Sequence, residues 1–180
     1  LFFFIAFVIG LASGATVLVS QAWGARNMDR VKAVTGTTLG AGALLGCGVA
    51  LVGGSFAHDI LQALGTPSDI VPEATRYARV MFLAVPAMFV FILSTSMLRG
   101  TGDTLTPLKA LILSSVVGLT LTPAFIRGWA GLPQLGVTSP AWATVISMPV
   151  ALAWMAWSLK RRTHVMAPDA QLRRHFRLDL

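Results

Sequence analysis

The sequence predicts an all-α fold, a polytopic transmembrane bundle of five membrane helices, and three observations carry that expectation. Of 180 residues, 55% are apolar and only 12% charged, with a mean hydropathy of +0.73. That charged share is about half of what a soluble domain carries. The apolar residues gather into five runs of about 20, the length a helix rising 1.5 Å per residue needs to cross a bilayer. The charges stand in short clusters between those runs. No stretch alternates at strand period, which excludes a β-barrel. In lipid each spanning segment must satisfy its own backbone amides, so every run is expected to be helical.

The first helix is expected over 1–23 and opens LFFFIAFVIG. No Met or basic stretch precedes it, which argues against a signal peptide and for a chain cut inside a helix. Gly10 and Gly14 give it a small-residue face for close helix packing. Ser13, Thr16, Ser20 and Gln21 add polarity, with Thr16 and Ser20 four apart on one side. The second helix, 33–57, carries two such glycine pairs, Gly36 with Gly40 and Gly42 with Gly46. Its Cys47 is the only cysteine, so no internal disulfide can form, and a buried, inert thiol is expected. Segment 58–76 reads as a linker in which Ile60, Leu61 and Leu64 make a short interfacial helix stopped at Gly65-Thr66-Pro67. Thr66 or Ser68 is expected to cap the next helical turn. The remaining helices are placed at 77–98, 108–126 and 137–159; Pro86, Pro123 and Pro149 fall inside them, each removing a backbone donor and inviting a kink.

The basic residues set a topology. Arg26, Arg30 and Lys32, then Arg99 and Lys109, then Lys160, Arg161, Arg162, Arg173, Arg174 and Arg177 put eleven on one side, against Arg76, Arg79 and Arg127 on the other. The positive-inside rule places the eleven in the cytoplasm, with the N-terminus outside, the C-terminus inside and a basic cytoplasmic segment over 161–180. The net charge of +7 does not imply nucleic acid. Aromatic and basic side chains do not interleave as they do on a nucleic-acid platform.

Stretch 97–109, MLRGTGDTLTPLK, is the one place that resembles a phosphate cradle. The P-loop pattern G-x-x-x-x-G-K-[ST] is not met, and Leu105 stands where a G-x-G-x-x-G motif needs its third glycine. A tight turn accounts for it better. Gly100 and Gly102 release the backbone, Asp103 or Thr104 accepts from the next helix, Pro107 fits its first turn, and Arg99 and Lys109 stay among headgroups. His58, His164 and His175 are dispersed, so no metal site and no cofactor are expected. The run Ser94 to Ser96 has no neighbouring base, so an enzyme is not expected. All seven acids, Asp29, Asp59, Asp69, Glu73, Asp103, Asp169 and Asp179, lie in connections or the tail, so the spans show no proton or sodium relay. The mild polarity left inside the helices either lines a cavity or bonds its own backbone.

Four phrases in order, GATVLVSQAWGARNMDRV, ILQALGTPSDIVPEATRYARV, MLRGTGDTLTPL and LTPAFIRGWAGLPQLGVTSPAWATVIS, resemble the multidrug and toxic compound extrusion (MATE) family of antiporters. The resemblance covers nearly all of 1–160. It implies a partial first lobe, family helices two to six of a twelve-helix transporter, with 161–180 leading to a second lobe of the same chain. It further implies a bacterial inner-membrane protein that expels small cationic or amphipathic compounds by alternating access, with sodium ions or protons as coupling ions. Ser13, Thr16, Ser20, Gln21, Ser94, Thr95 and Thr122 become candidate pathway-lining residues, and Pro86 and Pro123 candidate bending points. Arg99, Gly100, Gly102, Asp103 and Pro107 mark the cytoplasmic turn. One departure stands out. Many members carry an Asn and an Asp-Pro in the fifth helix of this lobe, whereas Gly118 and Thr122-Pro123 correspond here. A threonine can ligate a cation but cannot carry a proton at neutral pH. The alternatives are a flippase of lipid-linked oligosaccharides, which needs basic residues facing the bundle, and a structural or receptor-like bundle that transports nothing.

Overall fold

The computed structural model describes residues 2–128 and 134–161. Within them run six helices: α1 (Phe2–Gly24), α2 (Met28–Ser55), α3 (Ala57–Ala63), α4 (Val71–Gly100), α5 (Leu105–Arg127) and α6 (Ser139–Arg161), the last preceded by a 3-10 turn at Gly136–Thr138. The described residues contain no strand. The short α3 falls between the second and third spans, where the sequence predicts a short helix. From residue 162 onward the basic segment lies outside the described residues.

Helix starts differ most from expectation. α2 begins at Met28 because the Asn27 side chain accepts from the Arg30 amide at 3.0 Å and Asp29 sits in the first turn, favoured by the positive end of the helix dipole. α4 begins at Val71, with Pro72 tolerated in the first turn and Glu73 beside it. Neither Thr66 nor Ser68 caps it; Ile70 stands at that position and makes no side-chain cap bond. Hydropathy marks where a helix enters lipid, whereas caps and acidic first turns mark where it starts. Arg30, Lys32, Arg76 and Arg79 are therefore helical.

α4 is the hub, packing against α1, α2, α3, α5 and α6, while α5 rests mainly on α6. Val19, Val31, Leu93, Met97, Leu98, Ala110, Ala151 and Met155 form a buried core around it. The α2 contact depends on missing side chains. A Cβ on Gly46 would stand 2.6 Å from the Pro86 Cα, one on Gly42 would strike Leu93 and one on Gly53 would strike Phe82. The antiparallel helices thus meet along a glycine groove, closest at the proline. Pro86, Pro123 and Pro149 are all carried inside continuous helices. Cys47, one residue past Gly46 and so turned about 100° off the interface, is exposed, not buried as its apolar neighbourhood suggested.

Outward-facing Leu44, Leu51, Leu83, Leu111 and Leu119 coat the bundle, as a lipid-facing surface requires. Among the described residues, the helices at α2, α4, α5 and α6 are long and apolar enough to cross a membrane, and α1 adds a shorter apolar run, Val8–Gly24. Two turns at one end of the bundle share a geometry. After α4, Gly102 (φ 87°) donates to Arg99 O and Asp103 to Leu98 O, both at 3.0 Å. After α1, Arg26 (φ 53°) donates to Trp23 O and Asn27 to Ala22 O, also at 3.0 Å. Each satisfies the orphan carbonyls of a helix end through a left-handed residue, free for glycine and strained for arginine.

Candidate functional site

The turn after α4 has its backbone amides turned to its own helix rather than presented to a phosphate. The amides of Thr101, Gly102 and Asp103 already donate to carbonyls of α4. Gly102 alone reverses the chain. Gly100 is still helical, and its role is close approach, since a Cβ there would lie 3.0 Å from Thr16 O on α1. Asp103 accepts from the Thr106 amide at 3.0 Å through Oδ1 and from the Thr106 hydroxyl at 2.6 Å through Oδ2. Thr104 makes no side-chain cap bond. Pro107 is buried in the first turn of α5 and Arg99 is exposed.

On α1 the hydroxyls of Ser13, Thr16 and Ser20 donate to Ile9 O, Ala12 O and Val17 O at 2.9, 2.7 and 2.9 Å. Their protons are thus committed to the helix, while oxygen lone pairs still point away from it. Gly10, Ser13, Gly14, Val17 and Gln21 share an exposed face, and a Cβ on either glycine would meet nothing within 4 Å. That face is smooth, offers hydroxyl acceptors and is not covered by any described helix. Thr122 on α5 likewise donates to Gly118 O at 2.7 Å. The backbones of α1 and α5 do not approach each other among the described residues, so Thr122 and the α1 face are not in one contact network.

Ser94 and Thr95 are buried in α4. Thr95 donates to Ile92 O at 2.9 Å. Ser94 lines a cavity of about 200 Å³ with Val90, Met97 and Leu98 of α4, Thr35 and Leu39 of α2, and Leu152, Met155, Ala156 and Leu159 of α6. Thr35 is not among the residues that the sequence singles out. It is 1% exposed, and its hydroxyl is the one buried side-chain polar atom without a hydrogen-bond partner among the described residues. The sequence signal for it is slight: Lys32 and Thr35, three apart, put polar side chains on one side of α2.

No group of three His, Cys, Asp or Glu is placed to hold an ion among the described residues. His58 on α3 stands 3.5 Å from the Thr75 hydroxyl and 3.1 Å from Gln62, which ties the short helix to α4.

Comparison with known proteins gives one answer. The MatE family model matches residues 1–124. The probable multidrug resistance protein YoeA of Bacillus subtilis is 42% identical over 178 residues, 99% of this chain and 38% of that protein. A FAD transporter of Shewanella oneidensis is 25% identical over 84% of this chain and 33% of its own length. Among solved structures, the inward-facing conformation of a multidrug resistance MATE family transporter superposes with a TM-score of 0.76 at 23% identity over 95% of this chain and 40% of its own. An outward-facing conformation gives 0.78 at 24% identity, covering 95% and 39%. The chain spans little more than a third of the length of the curated relatives it matches.

Proposed function

The chain belongs to the multidrug and toxic compound extrusion family, and from that premise we propose that it forms part of the first lobe of a secondary active efflux transporter. The whole protein exchanges sodium ions or protons for cationic amphipathic compounds by alternating access. The observation that carries this reading is a family match across residues 1–124 in a multi-pass bundle that amounts to little more than a third of its relatives' length. That share suits one lobe of a two-repeat transporter with one helix outside the chain. The bundle resembles an inward-facing and an outward-facing structure about equally, which supports a lobe that rocks as a unit.

In this reading the open face of α1 borders the pathway. Ser13, Thr16, Ser20 and Gln21 supply acceptors that a cation favours, and Gly10 and Gly14 keep the wall smooth. Ser94, Thr95 and Thr122 are secondary lining candidates, and Pro86 and Pro123 are the bending points. The membrane is the bacterial inner membrane. Arg26, Arg30, Lys32, Arg99, Lys109, Lys160 and Arg161 support a cytoplasmic side for the α1–α2 and α4–α5 turns and the end of α6. Coupling rests on a group outside the described spans, because the described acids Asp29, Asp59, Asp69, Glu73 and Asp103 sit in connections or first helical turns. The flippase alternative wants basic side chains at mid-bundle, and the described ones lie in turns or within nine residues of a helix end.

The test is dye efflux from a drug-sensitive bacterium expressing the intact protein. Extrusion of a cationic dye should stop when either the sodium or the proton gradient is collapsed. Efflux that persists with both collapsed, or no extrusion from cells with the folded protein in the membrane, contradicts the proposal. Residues 1–180 alone should not pump, since alternating access needs two lobes moving against each other.

A further inference from the structure

The cavity beside Thr35 is lined by no residue of the α1 face, and of the candidate pathway residues only Ser94 borders it. α2 and α6 both pack on α4, yet their backbones do not approach each other among the described residues. The space between them is therefore a crevice floored by α4 and walled by apolar side chains, with Thr35 and Ser94 as its polar positions. A buried hydroxyl left without a partner is destabilising, so an orphan such as Thr35 calls for an explanation.

The crevice runs toward the basic end of the bundle. Its last lining residues there are Thr35, Leu98 and Leu159, and each helix adds a basic side chain within three residues of them: Lys32, Arg99 and Lys160. At the same end the Arg161 guanidinium lies 3.9 Å from the ring centroid of Trp157. An aromatic and basic pair of this kind marks headgroup depth.

We propose that the α2–α4–α6 crevice holds an acyl chain of an anionic phospholipid, with its phosphate against Lys32, Arg99 and Lys160 and an ester carbonyl accepting from the Thr35 hydroxyl. Charge complementarity selects the headgroup and the apolar walls select the chain. From Lys32 to Thr35 the helix rises about 4.5 Å, comparable to the step from a lipid's phosphate to its esters. The lipid gives Thr35 its partner and seals two helices that do not seal each other. It depends on the chain spanning a membrane, and not on what it transports.

The intact protein is reconstituted in nanodiscs of phosphatidylcholine with and without phosphatidylglycerol, and retained lipid is counted by native mass spectrometry beside thermal unfolding. The wild type should keep phosphatidylglycerol in preference and melt higher in its presence. Lys32→Gln with Lys160→Gln should weaken retention about thirtyfold, from roughly 1 kcal/mol for each of the two lysines at the surface. Ala156→Phe, which fills the crevice, should abolish it. Thr35→Val should reduce retention while melting no lower than wild type in phosphatidylcholine, because an isostere removes the orphan without opening a cavity. Equal retention of the two lipids by the wild type overturns the proposal. So does undiminished phosphatidylglycerol in the lysine variant or in an Ala156→Phe protein that melts as the wild type does, or a crevice found filled by another segment of the protein.

Discussion

Two helices of this bundle carry small residues at the same spacing and use them in opposite ways. In α2, Gly42, Gly46 and Gly53 are pressed on α4 so closely that no side chain fits. In α1, Gly10 and Gly14 meet nothing, and Ser13, Val17 and Gln21 beside them are open. Glycine spacing shows where a helix surface is smooth; the polarity of its neighbours separates a packing groove from a wall. The α2 groove is lined by Leu93, Pro86 and Phe82. The α1 face is edged by hydroxyls already bonded to their own helix, a surface stable without a protein partner.

The contrast can be probed at several strengths. The largest effect belongs to Gly46→Leu, since the Pro86 backbone cannot yield; a loss of about 3 kcal/mol, or failure to give a monodisperse protein, is expected in detergent unfolding curves. Asp103→Ala removes two bonds to Thr106 and should cost about 1 kcal/mol in the same assay. Arg26→Gly should move the other way by a similar amount, about 1 kcal/mol of added stability, by relieving the left-handed strain at φ 53°. Gly14→Leu should change stability least, within about 0.5 kcal/mol, yet slow efflux by the intact protein. A large destabilisation there would mean that the α1 face packs as the α2 face does.

Much of the architecture is legible because the bilayer imposes a simple length rule. The five apolar runs, the short α3 and the turn after α4 follow from hydropathy and turn chemistry. Helix starts do not, because Asn27 and Pro72 extend α2 and α4 through polar residues that hydropathy discards. Gly100 reads as a turn residue in the sequence, since its contact with Thr16 joins positions more than eighty residues apart. Cys47 differs from a buried site by one step around a helix, a distinction composition cannot make. Thr35 escapes notice because a hydroxyl is orphaned only by the arrangement of three helices, and a threonine in a glycine-rich span looks like any other. The α1 stripe is visible from spacing, but not its openness.

Whether the open α1 face borders a transport pathway is decided by thiol accessibility in the intact protein. A Ser13→Cys variant is made in a Cys47→Ser background, with Leu44→Cys as the lipid-facing control, and exposed in membrane vesicles to a membrane-impermeant thiol reagent. Position 13 should react, position 44 should not, and a cationic amphipathic compound should protect position 13. A position 13 as inert as position 44, or one whose reaction the compound leaves unchanged, would place the α1 face outside the pathway.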